Sequence, residues 1–199
     1  MAEASRHIGE HDWHSRQYVD DWIARDISRD AERAAMLRQM LERAPFSADT
    51  AVRVLDVGAG YGMVTAQVLR RFPQARVTLL DYSAPMFEHA RERLREHAAQ
   101  LEFIQADLRD PEWTVRAGGS YDLAVSAIAI HNLRDHALIA RCYAAIASVL
   151  GAGGVFLDCD LVSFSGGLDG HLKWLREAGF ARVECVLERS PLAILAAIR

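Results

Sequence analysis

Apolar and polar positions along this 199-residue chain follow two periods in turn. Short apolar runs at 52–57, 76–81, 101–106, 121–127 and 153–159 read as strands, and the amphipathic stretches 61–72, 84–98 and 134–150 between them read as helices. Strand and helix alternating over this length imply parallel strands joined by crossover helices, an α/β fold. Two more helices are expected ahead of the first strand. Residues 12–43 carry Trp13, Tyr18, Trp22 and Ile23, then Ala35, Met36, Met40 and Leu41, at helical spacing, and 45–50 is a polar break. Asp110-Pro111 starts a short helix or turn, and Gly151, Gly153 and Gly154 suit a helix stop and a tight turn. Beyond a glycine-rich stretch at 165–170, residues 171–178 read as a helix stopped at Gly179, followed by strand-like runs at 181–187 and 191–198. Only Glu188, Arg189 and Ser190 separate those runs, too few for a parallel crossover, so they form an antiparallel hairpin.

Composition narrows the picture. A hydrophobic content of 51% over this length supplies a full core and suits one domain spanning 1–199. The formal net charge of -4 leaves no basic excess to meet phosphates, so no nucleic-acid partner is expected. Cys142, Cys159 and Cys185 are odd in number, widely spaced and set among apolar neighbours, which suits buried free thiols in a reducing compartment. The opening MAEASRHIGEHDWHSR lacks the apolar core of a signal peptide, and no apolar run approaches the roughly 20 residues of a membrane span. The expectation is a cytoplasmic protein with no membrane partner.

The chemistry-bearing pattern is VLDVGAGYG at 54–62, a short apolar strand that ends in Asp56 and runs into Gly58, Gly60 and Gly62. Glycines there let the chain turn sharply after a strand and bring its backbone against a ligand. A dinucleotide fingerprint would place its third glycine at 63, where this chain has Met63. Asp56 either caps the loop's amides or touches the cofactor. Asp81 closes the second strand, about twenty residues on, where an acid accepts ribose hydroxyls. Tyr82 and Met86, in YSAPM, flank a position for adenine, with Ser83 as N-cap of the next helix. Asp107 ends the third strand, placed for the exocyclic amine of adenine, with Leu108 beside it. Three acids at the carboxyl ends of three successive strands mark the edge where open α/β sheets bind ligands.

With VLDVGAGYG, LLDYSAPM, FIQADL, YDLAVSAIAIHNL, LGAGGVFL and WLREAGF in place, the chain resembles the class I S-adenosylmethionine-dependent methyltransferases from about residue 52 to its end. The resemblance implies a doubly wound, Rossmann-like, mostly parallel sheet of seven strands ordered 3-2-1-4-5-7-6, its last strand antiparallel. Residues 51–199 would form the cofactor-binding core and 1–50 a helical cover, which HDWHSRQYVDDWIARD resembles. It implies S-adenosylmethionine as cofactor, S-adenosylhomocysteine as product, and contacts from Asp56, Gly58, Ala59, Gly60, Gly62, Asp81, Asp107 and the backbone near Ser126 and Ala127. The implied activity is methyl transfer to a small molecule. The alternatives are a non-catalytic sensor or partner subunit that binds the same cofactor and, disfavoured by Met63 and the hairpin, an NAD-dependent oxidoreductase.

For the transfer itself, in-line geometry and exclusion of water matter most, and an alcohol or acidic carbon would also need a base. His131, just beyond the fourth strand, is placed for that role; alternatively its ring packs beside the cofactor and bonds to backbone. Tyr18 offers a hydroxyl to the methionine end or the substrate, while Trp13 and Trp22 either line the substrate site or dock the cover on the sheet. His11 and His14, with His7, lack a third ordered ligand for a metal site. Alternation puts Asp158 and Asp160 on one face of the fifth strand, where they read as cleft or solvent carboxylates, and no metal is expected. Many small-molecule methyltransferases wall the substrate with a long insertion after the fifth strand, and here only 161–170 is available. Either the site is open, or the N-terminal helices close it; a docking partner or the second copy of a homodimer is a further way to complete it.

Overall fold

The computed structural model describes residues 11–199; the first ten residues of the expected cover, His7 among them, lie outside the described residues. Two helices come first, α1 at Arg16–Asp26 and α2 at Asp30–Leu41, joined by a 3₁₀ turn at Ile27–Arg29. Then follow β1 (Arg53–Val57), α3 (Met63–Arg71), β2 (Arg76–Asp81), α4 (Ala84–Arg93), β3 (Leu101–Gln105), the short α5 (Trp113–Ala117) and β4 (Tyr121–Ala127). The chain continues through α6 (His136–Val149), β5 (Leu150–Asp160) and α7 (Gly167–Glu177) into the terminal strands β6 (Arg182–Arg189) and β7 (Leu192–Ile198).

The seven strands form one sheet in the order β3-β2-β1-β4-β5-β7-β6, as the resemblance implies. β1 to β5 run parallel, and β7 lies antiparallel between β5 and β6. Only Ser190 and Pro191 lie between β6 and β7, too few to carry a crossover, so the two strands pair antiparallel, with β6 at the sheet edge and β7 beside β5.

Both faces of the sheet are covered, which explains why the central strands are apolar throughout rather than alternating. On one face Val54, Val77, Leu123 and Leu157 pack with Leu37 and Met40 of α2, Val68 of α3 and Phe87 of α4. On the other, Leu55, Leu80, Ala124 and Phe156 pack with Trp113 of α5, Tyr143 of α6 and Leu175 of α7. The cover helices therefore share a core with the first layer, through Val19 of α1 as well as α2.

Three boundaries differ most from the sequence pattern, one being the start of α7, at Gly167 inside the glycine-rich stretch rather than at 171. The helix expected over 84–98 stops at Arg93, because Leu94 turns inward beneath Gly62 and the chain tightens into a 3₁₀ turn over Arg95–Gln100. β5 begins at Leu150 rather than 153, since Leu150 pairs with Tyr121 ahead of a register irregularity in β4. Cys142 and Cys159 are buried free thiols and Cys185 is half-buried. Among the described residues no helix is long and apolar enough to cross a membrane.

Candidate active site

β1 is flanked by β2 on one side and β4 on the other, so the connections diverge there and leave a crevice outside the carboxyl ends of the strands. A cavity of about 930 Å³ occupies that crevice, roofed by the cover helices.

The glycine loop forms its floor. Gly58 and Ala59 both donate their N–H to Leu80 O, at 2.8 and 3.0 Å, which ties the loop to the end of β2. Gly58 has φ +70, and a Cβ there would stand 2.4 Å from the Ala129 Cβ, so no larger residue fits between β1 and the segment after β4. Gly60 is left-handed as well, with φ +52, but the space above it is open as far as the Met86 sulfur at 4.0 Å. One glycine thus permits a close approach within the protein, and the other leaves a bare backbone facing the cavity.

Asp81 is fixed by that backbone. Its Oδ2 accepts the Gly60 N–H and its Oδ1 the Ser83 N–H, each at 2.8 Å. Desolvation raises its carboxyl above the usual range against the pull of those amides, so added donors from a ligand would be well received. Ser83 caps α4 by accepting the Met86 N–H at 3.2 Å and donates its hydroxyl to Trp13 O, linking the cover to the core. Tyr82, Met86, Asp107 and Leu108 line the same end, and Asp107 accepts the Arg109 N–H at 2.9 Å. Burial, with the Asp81 charge second, pushes the Tyr82 hydroxyl up to about 12, so it is a neutral donor at working pH.

The cover supplies an aromatic wall. Trp13 meets Tyr18 and Trp22 edge-on, each at 5.3 Å between ring centroids, and Trp22 meets Tyr61 of the glycine loop at 5.9 Å. Trp13 and Trp22 line the cavity. Tyr18 stands behind Trp13, bonded through its hydroxyl to His11 Nδ1. Arg33, Met36 and Leu37 of α2 complete the roof, and Arg33 is ion-paired with Asp26 and lies over the Trp22 ring.

His131 stands opposite, on a 3₁₀ turn at Ile130–Leu133 directly after β4, and it lines the cavity although it is 5% exposed. Its Nδ1 is 2.6 Å from Asp160 Oδ1, and its backbone N–H donates to Asp160 Oδ2 at 2.8 Å. Asp158 and Asp160 are fully buried, which corrects their expected place as cleft or solvent carboxylates. They face α6 and α7 beneath the site, because Ser126 and Asp158 are paired positions on the face that carries Ala124 and Phe156.

Of the residues singled out by the sequence, the cavity brings together Trp13, Trp22, Gly58, Ala59, Gly60, Asp81, Tyr82, Met86, Asp107, Leu108, Ala127 and His131. Tyr18, Asp56, Gly62 and Ser126 are not on its wall. Asp56 lies behind the loop, where its Oδ2 accepts the Thr65 hydroxyl at 2.6 Å and N–H at 3.1 Å and so holds the first turn of α3. Gly62 faces Leu94, and the buried Ser126 hydroxyl has no hydrogen-bond partner among the described residues. Arg33, Tyr61 and Arg134 line the cavity without having been singled out. Arg33 sits in a run of charges that reads as a solvated helix face, whereas Tyr61, between two loop glycines, had a positional signal. Among the described residues no cluster of His, Cys, Asp and Glu is placed to hold a metal ion. His11 instead packs on Trp13, and His14 on Tyr82.

Asp12, Asp81 and Asp107 lie at the β2 and β3 end of the cavity, with Arg109 beside Asp107, and Arg33, paired with Asp26, lies with His131 and Arg134 toward the β4 and β5 end. An acid pair beside apolar Met86 and Leu108, over an uncovered glycine backbone, fits an adenosine group with its ribose hydroxyls and exocyclic amine. The end nearer β4 and β5 is left for a second molecule.

A family model described as a methyltransferase domain matches residues 54–154. The trans-aconitate 2-methyltransferase of Paracidovorax citrulli is 39% identical over 117 residues, covering 58% of this chain and 42% of that protein. The malonyl-[acyl-carrier protein] O-methyltransferase of Acetivibrio thermocellus is 33% identical over 91 residues, covering 46% of this chain and 30% of that protein. The chain thus spans less than half the length of either relative. Among solved structures, an O-methyltransferase family protein from Burkholderia thailandensis superposes with a TM-score of 0.73 at 20% identity, covering 99% of this chain and 62% of that one. PigF with SAH gives 0.72 at 15% identity, covering 94% and 60%.

Proposed function

The chain belongs to the class I S-adenosylmethionine-dependent methyltransferase family, and from that premise we propose that it transfers the methyl group of S-adenosylmethionine to a small molecule held beneath its cover helices. One observation carries the reading: the pocket that Asp81 and Asp107 line over the glycine loop and the pocket at His131 are two ends of one cavity. When bound there, the cofactor supplies a sulfonium methyl, an electrophile whose leaving group is a neutral thioether.

The protein's own residues then have distinct tasks. Asp81, oriented by two backbone amides, accepts the ribose hydroxyls, and Asp107 with Met86, Tyr82 and Leu108 frames the adenine. Gly58, Ala59, Gly60 and Ala127 bring backbone close to the ligand, while Trp13 and Trp22 exclude water from the transfer. Arg33, His131 and Arg134 suit an acceptor that carries negative charge or acquires it on losing a proton. Cover and core act as one domain, since neither encloses the cavity alone.

A transfer assay tests this. The protein is incubated with S-adenosylmethionine bearing a deuterated methyl and a panel of small acids, phenols, alcohols and amines, and labelled products are sought by mass spectrometry. Labelled product is expected from at least one class. Asp81→Ala should cut its formation about tenfold or more, the scale of losing hydrogen bonds to a charged group. Absence of labelled product from every class, together with absence of S-adenosylhomocysteine binding, would overturn the reading.

A further inference from the structure

One residue on the cavity wall near the end of β4 holds a backbone conformation that its own side chain opposes. Ile128 has φ +52, and of the three non-glycine residues with positive φ among the described residues, Ser120, Ile128 and Arg134, it alone is β-branched. In the left-handed region Cβ crowds the following carbonyl, so glycine is the usual occupant and a branched residue is an outlier.

The surroundings impose this conformation. The Ile128 N–H donates to Cys159 O at 3.0 Å and carries the bonding of β4 to β5 one residue past the strand. Ala129, the next residue, already lies against Gly58, where an added Cβ would stand 2.4 Å from the Ala129 Cβ. The 3₁₀ turn then begins, with the Asn132 N–H donating to Ala129 O at 3.0 Å, the Asn132 side-chain amide to Ile128 O at 3.4 Å and the His131 N–H to Asp160 Oδ2 at 2.8 Å. The chain thus has a single residue in which to leave the sheet and reverse, and contacts on both sides hold it there. Strain of this kind persists where neighbouring contacts over-determine it, and it gathers at ligand sites.

None of those bonds uses the Ile128 side chain, so glycine would meet every backbone requirement at this position without the steric cost. What glycine would not supply is the wall. The Ile128 side chain is half-buried and packs against the cluster that contains Leu37 of α2 and Cys159 of β5, and all three line the cavity together with Met36.

We propose that Ile128 is a specificity-determining residue: its side chain, held at the cavity by a strained backbone, bounds the acceptor site with Met36, Leu37 and Cys159 and limits the size of the apolar body that fits there. The proposal rests on the function proposed above and deepens it by naming a substrate class, an acceptor with an aromatic or aliphatic body next to the group that receives the methyl. An acceptor polar on every side would leave this wall without a partner and gain nothing from the strained side chain.

Two measurements test this. The first compares the melting temperatures of Ile128→Gly and Ile128→Ala and needs neither cofactor nor acceptor. At an ordinary backbone position Ile128→Gly would be the less stable of the two; in the left-handed region the order reverses, and Ile128→Gly is expected to melt about 2–4 °C higher. Folding of Ile128→Gly alone would be the same order in extreme form, whereas a lower melting temperature for Ile128→Gly would overturn the strain. The second titrates 4-alkylphenols, from methyl to butyl, into the wild type, Ile128→Val and Ile128→Gly. Each buried methylene is worth about fourfold in affinity. Affinity for the wild type should stop rising before the butyl member and continue to rise for Ile128→Gly, so that the butyl-to-methyl affinity ratio increases about tenfold or more, with a smaller increase in the same direction for Ile128→Val, which keeps the branch at Cβ. An equal ratio in all three proteins, or absence of phenol binding to the wild type, would overturn the proposal. Absence of S-adenosylhomocysteine binding to the wild type would count against the function alone, and an unchanged ratio against Ile128 alone.

Discussion

Asp56 illustrates how a motif residue can serve the frame of a site rather than its surface. It is fully buried behind the glycine loop, with one oxygen engaged by Thr65 and the other without a partner among the described residues. Desolvation pushes its carboxyl up to about 7, against the Thr65 hydrogen bonds and with a small push from Asp81. The sign of the consequence follows by linkage. A carboxyl that titrates higher in the folded than in the unfolded state binds more protons when folded between pH 4 and 7, so its contribution is fully present at the acid end, falls as pH rises through that window and is flat above it. Asp56→Asn removes this titration while keeping an acceptor for Thr65. Urea unfolding at pH 5 and pH 8 should show the wild type losing more stability than Asp56→Asn over that interval, by an amount of order a few kcal/mol. Parallel pH dependence in the two proteins would contradict the assignment. At this scale the sequence made Asp81, Asp107 and the loop glycines legible, because a strand followed by an acid defines a position on the sheet edge. The pairing of His131 with Asp160 was not legible: 29 residues separate them, and only the register of β4 against β5 brings them together.

Between the elements, Tyr61 fastens the cover to the core. It sits in the glycine loop, yet its hydroxyl donates to Asp30 at 2.9 Å and lies 3.4 Å from Asp26, at the two ends of the α1–α2 junction. Arg93 of α4 lies 4.6 Å over its ring and bonds Asp30 at 2.9 Å, and Arg33 pairs with Asp26. Burial, reinforced by Asp30, pushes the Tyr61 hydroxyl up to about 12, so it remains a donor throughout the working pH range. Tyr61→Phe removes the donor and keeps the ring. Amide hydrogen exchange in α1 and α2 should accelerate about tenfold, the equivalent of one buried hydrogen bond, while exchange in β1 and β4 is unchanged. Uniform acceleration across the sheet would mean that Tyr61 supports global stability instead of the cover. Periodicity located both cover helices and placed β4 at the observed residues, because those segments are governed by burial along their own length. It missed the end of α4 and the start of β5, which are set by contacts with Gly62 and Tyr121 that no local pattern contains.

For the molecule as a whole, the mostly parallel sheet and its closing antiparallel hairpin were legible in the strand spacing, while the strand order came through the resemblance to the methyltransferase family. The cavity was less so, since its wall joins the ends of five strands to a cover that precedes them all, and Arg33 reaches it from a stretch that looks solvent-facing. A site built this way ties ligand binding to closure of the cover onto the core, so S-adenosylhomocysteine should raise the melting temperature of the wild type, and less so that of Tyr61→Phe. Isothermal titration of S-adenosylhomocysteine into the wild type and Asp81→Ala tests the central claim most directly. Binding of one molecule per chain is predicted, weakened about tenfold or more by Asp81→Ala. Absence of binding to the wild type, or equal affinity in the variant, would contradict the assignment of this cavity to the methyl donor.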